Sequence, residues 1–145
     1  MTNIGFATFD ASAQKSLKWI DDLDQIMGRD NRVEAYQALR AVMHTIRDRL
    51  TVEEGAELSA QLPMIIRGMY YEGWDPSRLP VELRKREEFL DYVRAKLGDA
   101  SQVIPADEAV KDVFALFDKH ITQGEIEDVR QMLPQDFASF WPEKT

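Results

Sequence analysis

Two histidines, His44 and His120, are the side chains of this sequence best suited to moving a proton or holding a metal near neutral pH. His44 follows Met43, and Asp48 lies one helical turn further on, where a carboxylate could orient an imidazole. His120 falls in the last turn of a predicted helix, where a cation is favoured by the helix dipole. No His-x-x-x-His or Glu-x-x-His spacing occurs, so neither a two-histidine zinc motif nor a bundle di-iron site is indicated. The absence of cysteine excludes disulfides, thiolate ligation and a cysteine nucleophile. Ser12, Ser16, Ser59, Ser77, Ser101 and Ser139 have no Gly-x-Ser-x-Gly setting, and Gly68 and Gly73 belong to no phosphate-binding loop. The aspartates of "WIDDLDQIMG" lack the alternating ligands and central glycine of a calcium loop and read as a solvated helix face. No catalytic residue, metal or cofactor is expected.

Charge narrows the partners. Eighteen basic and twenty-six acidic residues give a net charge of −8, which repels a phosphate backbone, so nucleic acid is not an expected partner. The basic positions Arg40, Arg47 and Arg49 read as an ordinary charged face, and Arg84 and Arg86 are placed to pair with Glu87, Glu88 and Asp91 along a helix. The opening "MTNIGFATFDASAQ" has no basic region followed by an apolar one, and no apolar run approaches the length of a membrane span. The expected location is the cytoplasm, with no membrane partner.

The elements that would position any site are helical. Apolar spacings of three and four predict a first helix over Ser12–Met27, with Leu17, Ile20, Leu23 and Met27 inward and Gly28 as its stop. "NRVE" predicts a second helix capped at Asn31 with Glu34 reaching back, its stripe Tyr36, Leu39, Val42, Met43, Ile46 and Leu50. Thr51 and Glu54 form a capping pattern for a third, and Pro63 opens a fourth that runs to about Glu72 and Gly73. Pro80 then starts a long helix with Leu83, Leu90, Val93 and Leu97 inward, ending at Gly98. Pro105 starts another, carrying Val110, Val113, Phe114, Phe117 and Ile121. Thr122 caps the next, and Pro134 opens a short last one that ends near Trp141.

This order repeats. Adding 71 to positions 38–63 aligns Ala38 with Ala109, Val42 with Val113, Thr51 with Thr122, Glu54 with Glu125, Leu62 with Leu133 and Pro63 with Pro134. His44 then faces Ala115 and His120 faces Arg49, so the histidines are not a duplicated site. The expected fold is all-α: two tandem four-helix repeats, about 12–74 and 79–141, packed as one helical domain spanning 1–145. The repeated Thr-x-x-Glu reads as helix capping rather than as paired acidic chemistry.

The segment "LPMIIRGMYYEGWDP" is apolar on nearly every side of its helix. Ile66, Met69 and Tyr70 have counterparts in Phe137, Phe140 and Trp141, which marks a shared core face. Met64 and Ile65 align instead with Gln135 and Asp136, and the reading is that the second unit covers them. Tyr71 and Trp74 are the expected anchors if part of the segment forms a partner-binding patch.

With "AQLPMIIRGMYYEGWDP", "RDRLTVEEGAEL", "REEFLDYV" and "GEIEDVRQMLP", the chain resembles the bacterial family catalogued as domain of unknown function 2267, from about Ser16 to Trp141. The resemblance implies a small helical prokaryotic protein and supplies no activity, cofactor or site residue. The expected function is a non-enzymatic interaction module, binding a protein partner or a second copy of itself. The alternative is a small-molecule binder or enzyme with a site between the repeats, for which Arg67, Tyr70, Glu72 and His44 are the polar candidates.

Overall fold

The structure, a computed structural model, describes residues 5–141. The described residues form seven α-helices and three short 3-10 turns, with no strand among them. Helix α1 (Ala7–Met27) starts five residues before its expected start, because nothing in "ATFDA" interrupts helical hydrogen bonding. It stops where expected, at Gly28, whose φ of 68° is accessible to glycine without strain. Its inward face is rotated from the expected one. Ser16, Trp19, Asp22 and Leu23 are buried, while Leu17, Ile20 and Met27 are only half-buried. The reason is Trp19, which stacks on His120 at 4.8 Å and packs against Phe117, so that α1 turns its largest side chain into the core. Asp22 comes with it, against the expectation of a solvated aspartate face. Burial pushes its carboxyl up, but hydrogen bonds from His120 and Lys18 and the charge of Lys119 hold it below its ordinary range.

Helix α2 (Arg32–Arg49) is the centre of the molecule. It packs on α1 and on α4 (Met64–Tyr71), and also on α5 (Arg86–Leu97) and α6 (Ala106–His120). Every residue from 41 to 48 is buried. Ala35, Ala38 and Ala41 are buried too, and their small side chains let neighbouring helices approach closely. Asn31 caps the helix as expected, accepting the Glu34 N–H. Glu34 does not reach back, however. The Asn31 N–H donates to Asp24, and Glu34 pairs with Arg29 at 2.6 Å.

Helix α3 (Val52–Ser59) begins with a complete reciprocal cap between Thr51 and Glu54. Its counterpart α7 (Gln123–Met132) has Thr122 in the cap position without a side-chain bond. Pro80 does not start α5. The preceding segment is extended because α2 takes its backbone: the Val81 N–H donates to the Asp48 carbonyl at 2.7 Å, and Arg49 donates to the Leu83 carbonyl. The helix starts after Lys85, whose N–H donates to Glu88. Arg84 therefore lies outside the helix and meets Glu82, while Arg86 meets its neighbour Glu87.

The shift of 71 pairs some residues of like burial and others of unlike burial, such as buried Asp48 with exposed Lys119. Leu39 and Val110, Val42 and Val113, Met43 and Phe114, and Ile46 and Phe117 are all fully buried. Among the four long helices, α1 packs on α2 and α6, and α5 packs on α2 and α6. The fourth elements differ, since α4 is an α-helix and Gln135–Phe140 is a 3-10 turn. The core lies among α1, α2, α5 and α6 and closes on a cluster of Phe89, Phe114, Phe137, Phe140 and Trp141.

Candidate functional site

Three features meet around α4: a polar anchorage beneath it, a cleft beyond its C-terminus and an apolar groove along its side. The anchorage rests on Arg47, which is only 2% exposed. Its Nη1 donates to the carbonyls of Tyr70 at 2.8 Å and Glu72 at 2.7 Å, and its Nε donates to Asp48 at 2.9 Å. A cation is thereby placed on the carbonyls that end α4, where the helix dipole favours it. This differs from the solvated basic face expected of Arg40, Arg47 and Arg49.

The six residues singled out from the sequence lie around that anchorage. His44 does not pair with Asp48. Its Nε2 lies 2.7 Å from the Met69 carbonyl, which can only accept, so the ring carries its proton there. Burial lowers its pKa to about 4, with the Arg47 charge adding to the effect against the Met69 bond, so the imidazole is neutral at pH 7. Tyr70 is fully buried and donates to the Gly55 carbonyl, and burial raises its phenol well above the ordinary value. Tyr71 is half-buried and shares a 2.7 Å hydrogen bond with the Ser59 hydroxyl. Its ring stands edge-on to Tyr70 on one side and Trp74 on the other. Arg67 points to the opposite end of α4 and donates to the carbonyls of Ser59 and Leu62, fastening the α3–α4 corner. Glu72 is exposed and faces Arg40 at 3.4 Å. The structure thus brings the rings of Tyr70, Tyr71 and Trp74 together, while His44 is held at the Met69 carbonyl.

None of these six lines the cleft that opens beyond the C-terminus of α4. This cleft, about 440 Å³, lies between Asp48 at the end of α2, the 73–81 segment and the Tyr92–Lys96 face of α5. Asp48 is buried and accepts the Tyr92 hydroxyl at 2.7 Å, with Lys96 Nζ at 3.7 Å. Burial, reinforced by the Asp48 carboxylate, pushes the Tyr92 hydroxyl up to about 12, so it stays a donor at neutral pH. Asp48 and Tyr92 are 44 positions apart, and no motif spans them.

The apolar groove, about 240 Å³, runs between α1 and α4 and is closed at one side by Tyr36 of α2. Ala13, Leu17 and Ile20 form one wall and Ile65, Ile66 and Met69 the other, while the Ile65 N–H donates to Ser16 Oγ and pins the start of α4 to α1. Met64 is 67% exposed and Ile65 55% exposed. The expectation that the second unit covers them therefore fails. Helix α4 packs on α1 and α2 and leaves this edge to solvent, because α5 and α6 pack on the other flanks of α2. Their alignment with Gln135 and Asp136 was the one sequence signal that this edge is unusual, and it is polar exposure of the second copy that the first copy lacks.

Among the described residues no helix is long and apolar enough to cross a membrane, and no group of three or more His, Asp or Glu side chains is arranged to hold a metal ion. No curated protein matches the chain. A family model described as "Uncharacterized conserved protein (DUF2267)" matches residues 17–140, the span that holds Asp48, Tyr92 and all of α2, and the chain belongs to that family.

Proposed function

We propose that this chain is a non-enzymatic interaction module of the bacterial cytoplasm, which associates with a second copy of itself through the α1–α4 face. The exposure of Met64 and Ile65 beside an apolar groove carries this reading. Adjacent apolar side chains at a groove gain about 25 cal/mol for each Å² removed from water, and a polar residue would serve better at both positions if nothing covered them.

The choice of a second copy rests on the rest of the same face. Continuing along α1 from Leu17 and Ala13 at helical spacing leads to the exposed Phe9, whose ring meets that of Phe6, the extended residue before the helix, edge to face with centroids 5.1 Å apart. An apolar cavity of about 150 Å³ holds a benzene, so the groove of about 240 Å³ has room for a phenyl ring. One face then carries both a projecting aromatic and a receptacle for it. A two-fold contact requires this, because each copy must supply what the other receives.

Sedimentation equilibrium of the chain at about 100 μM, well above a micromolar Kd, should find a dimer. Ile65→Asp and Phe9→Ser should each give monomers with unchanged far-UV circular dichroism. A monomeric parent at that concentration would reject self-association, and a dimer that survives both substitutions would reject this face.

A further inference from the structure

The cleft between the 73–81 segment and α5 holds four charged side chains, and their existing partners decide what it can bind. The two carboxylates both accept hydrogen bonds, Asp48 on each oxygen and Asp75 on Oδ1 alone, with its Oδ2 3.8 Å from Arg78. Asp48 accepts from Arg47 and from Tyr92. Asp75 accepts both the backbone N–H and the hydroxyl of Ser77, at 3.1 and 2.6 Å, and this holds its carboxyl below the ordinary range. The two cations make only long ion pairs within the cleft. Lys96 Nζ comes no closer than 3.7 Å to Asp48, and Arg78 Nε no closer than 3.8 Å to Asp75, both beyond hydrogen-bond reach. The side chain of Arg78 is 82% exposed and that of Lys96 is 33% exposed, so both reach a ligand without rearrangement of the core. Between them the wall is apolar, made by Leu79, Val81 and the ring of Tyr92, over which Lys96 sits at 5.5 Å.

From this division we infer that the cleft binds a small organic anion, its carboxylate or phosphate received by Lys96 and Arg78 and its apolar body laid against Leu79, Val81 and the Tyr92 ring. A volume of about 440 Å³ suits a metabolite-sized molecule. Arg78 and Lys96 hold no hydrogen bond to the carboxylates of the cleft, so an anion gains donors from both without displacing one. The net charge of −8 works against anions at long range, so recognition depends on these local donors. The cleft is separate from the α1–α4 face, and the inference does not rest on self-association.

Three probes that share one ring test the charge requirement: benzoate, phenyl phosphate and neutral benzamide, titrated at matched ionic strength and followed through backbone amide resonances. Saturable shifts at Gly73, Val81 and Lys96 are expected with benzoate or phenyl phosphate and not with benzamide. The stronger of the two anions identifies carboxylate or phosphate as the natural group. Lys96→Gln should weaken binding about tenfold, the worth of one charge-assisted hydrogen bond. Arg78→Gln, at a solvent-facing side chain, should do the same and guards against a folding defect in the first variant. Absence of saturable shifts with both anions, equal binding of benzamide, or undiminished affinity in Arg78→Gln would overturn the inference.

Discussion

Replacing Arg47 with methionine keeps most of the side chain's length and removes its charge and its donors. Three hydrogen bonds go at once, to Asp48, to the Tyr70 carbonyl and to the Glu72 carbonyl. Hydrogen bonds to a charged group contribute roughly 1.5–3 kcal/mol each, but the full sum is an upper bound. The methionine stem still packs, and Asp48 keeps the Tyr92 hydroxyl and the nearby Lys96 ammonium. Removing one member of a buried ion pair costs about 3–5 kcal/mol, and that range is the expected loss here. Urea denaturation should show it as a lower midpoint at unchanged slope, and thermal denaturation as a drop of about 10 °C for a chain of this size. A cycle with Asp48→Asn isolates the pair. The double variant should lose less than the sum of the single ones, because the acceptor stranded by Arg47→Met no longer carries a charge. A loss below about 1 kcal/mol, or strict additivity, would show that Arg47 is not what holds the end of α4 to α2.

Two further predictions follow from the same region and from the helix caps. The pKa of His44 is lowered from 6.5 to about 4 in the folded chain, so the unfolded chain binds more protons between those values and stability rises with pH. Its contribution is complete above about pH 6.5 and is lost as pH falls through 4, by up to roughly 3 kcal/mol. His44→Gln should flatten this limb relative to the parent in denaturation midpoints taken at pH 7, 5 and 4, and parallel curves would refute the assignment. Thr51→Ala should cost about 1 kcal/mol, because its cap is formed. Thr122→Ala should stay within about 0.5 kcal/mol, because its side chain makes no cap bond. Equal losses would contradict that difference between the halves.

How much of this was legible depended on whether the determining contacts were local. The stripe Leu39, Val42, Met43 and Ile46 and its counterpart on α6 were readable, because apolar residues at helical spacing mark a buried face whatever else the helix buries. Arg47 was not readable, because α2 has no wet side between 41 and 48. A charged residue there is explained only by acceptors 23 and 25 positions away. Pro80 fits a helix start by local rules, yet the following residues give their hydrogen bonds to α2. Asp22 looked like one of three equivalent aspartates until His120, 98 positions later, met it. The cleft gathers residues from α2, the 73–81 segment and α5, so no one spacing could announce it. The groove edge left one trace, the mismatch of Met64 and Ile65 with Gln135 and Asp136, and that trace was open to the opposite interpretation.

The position of α2 has a consequence for how the molecule comes apart. In an array of stacked repeats, each unit touches only its neighbours, and unfolding can begin at one end and leave the rest intact. Here the first half lends α2 to the second, where α5 and α6 close over it. Neither half retains a complete interior once that helix leaves. The amides of residues 41–48 should therefore exchange with solvent only through global opening, and the chain should melt as a single cooperative unit.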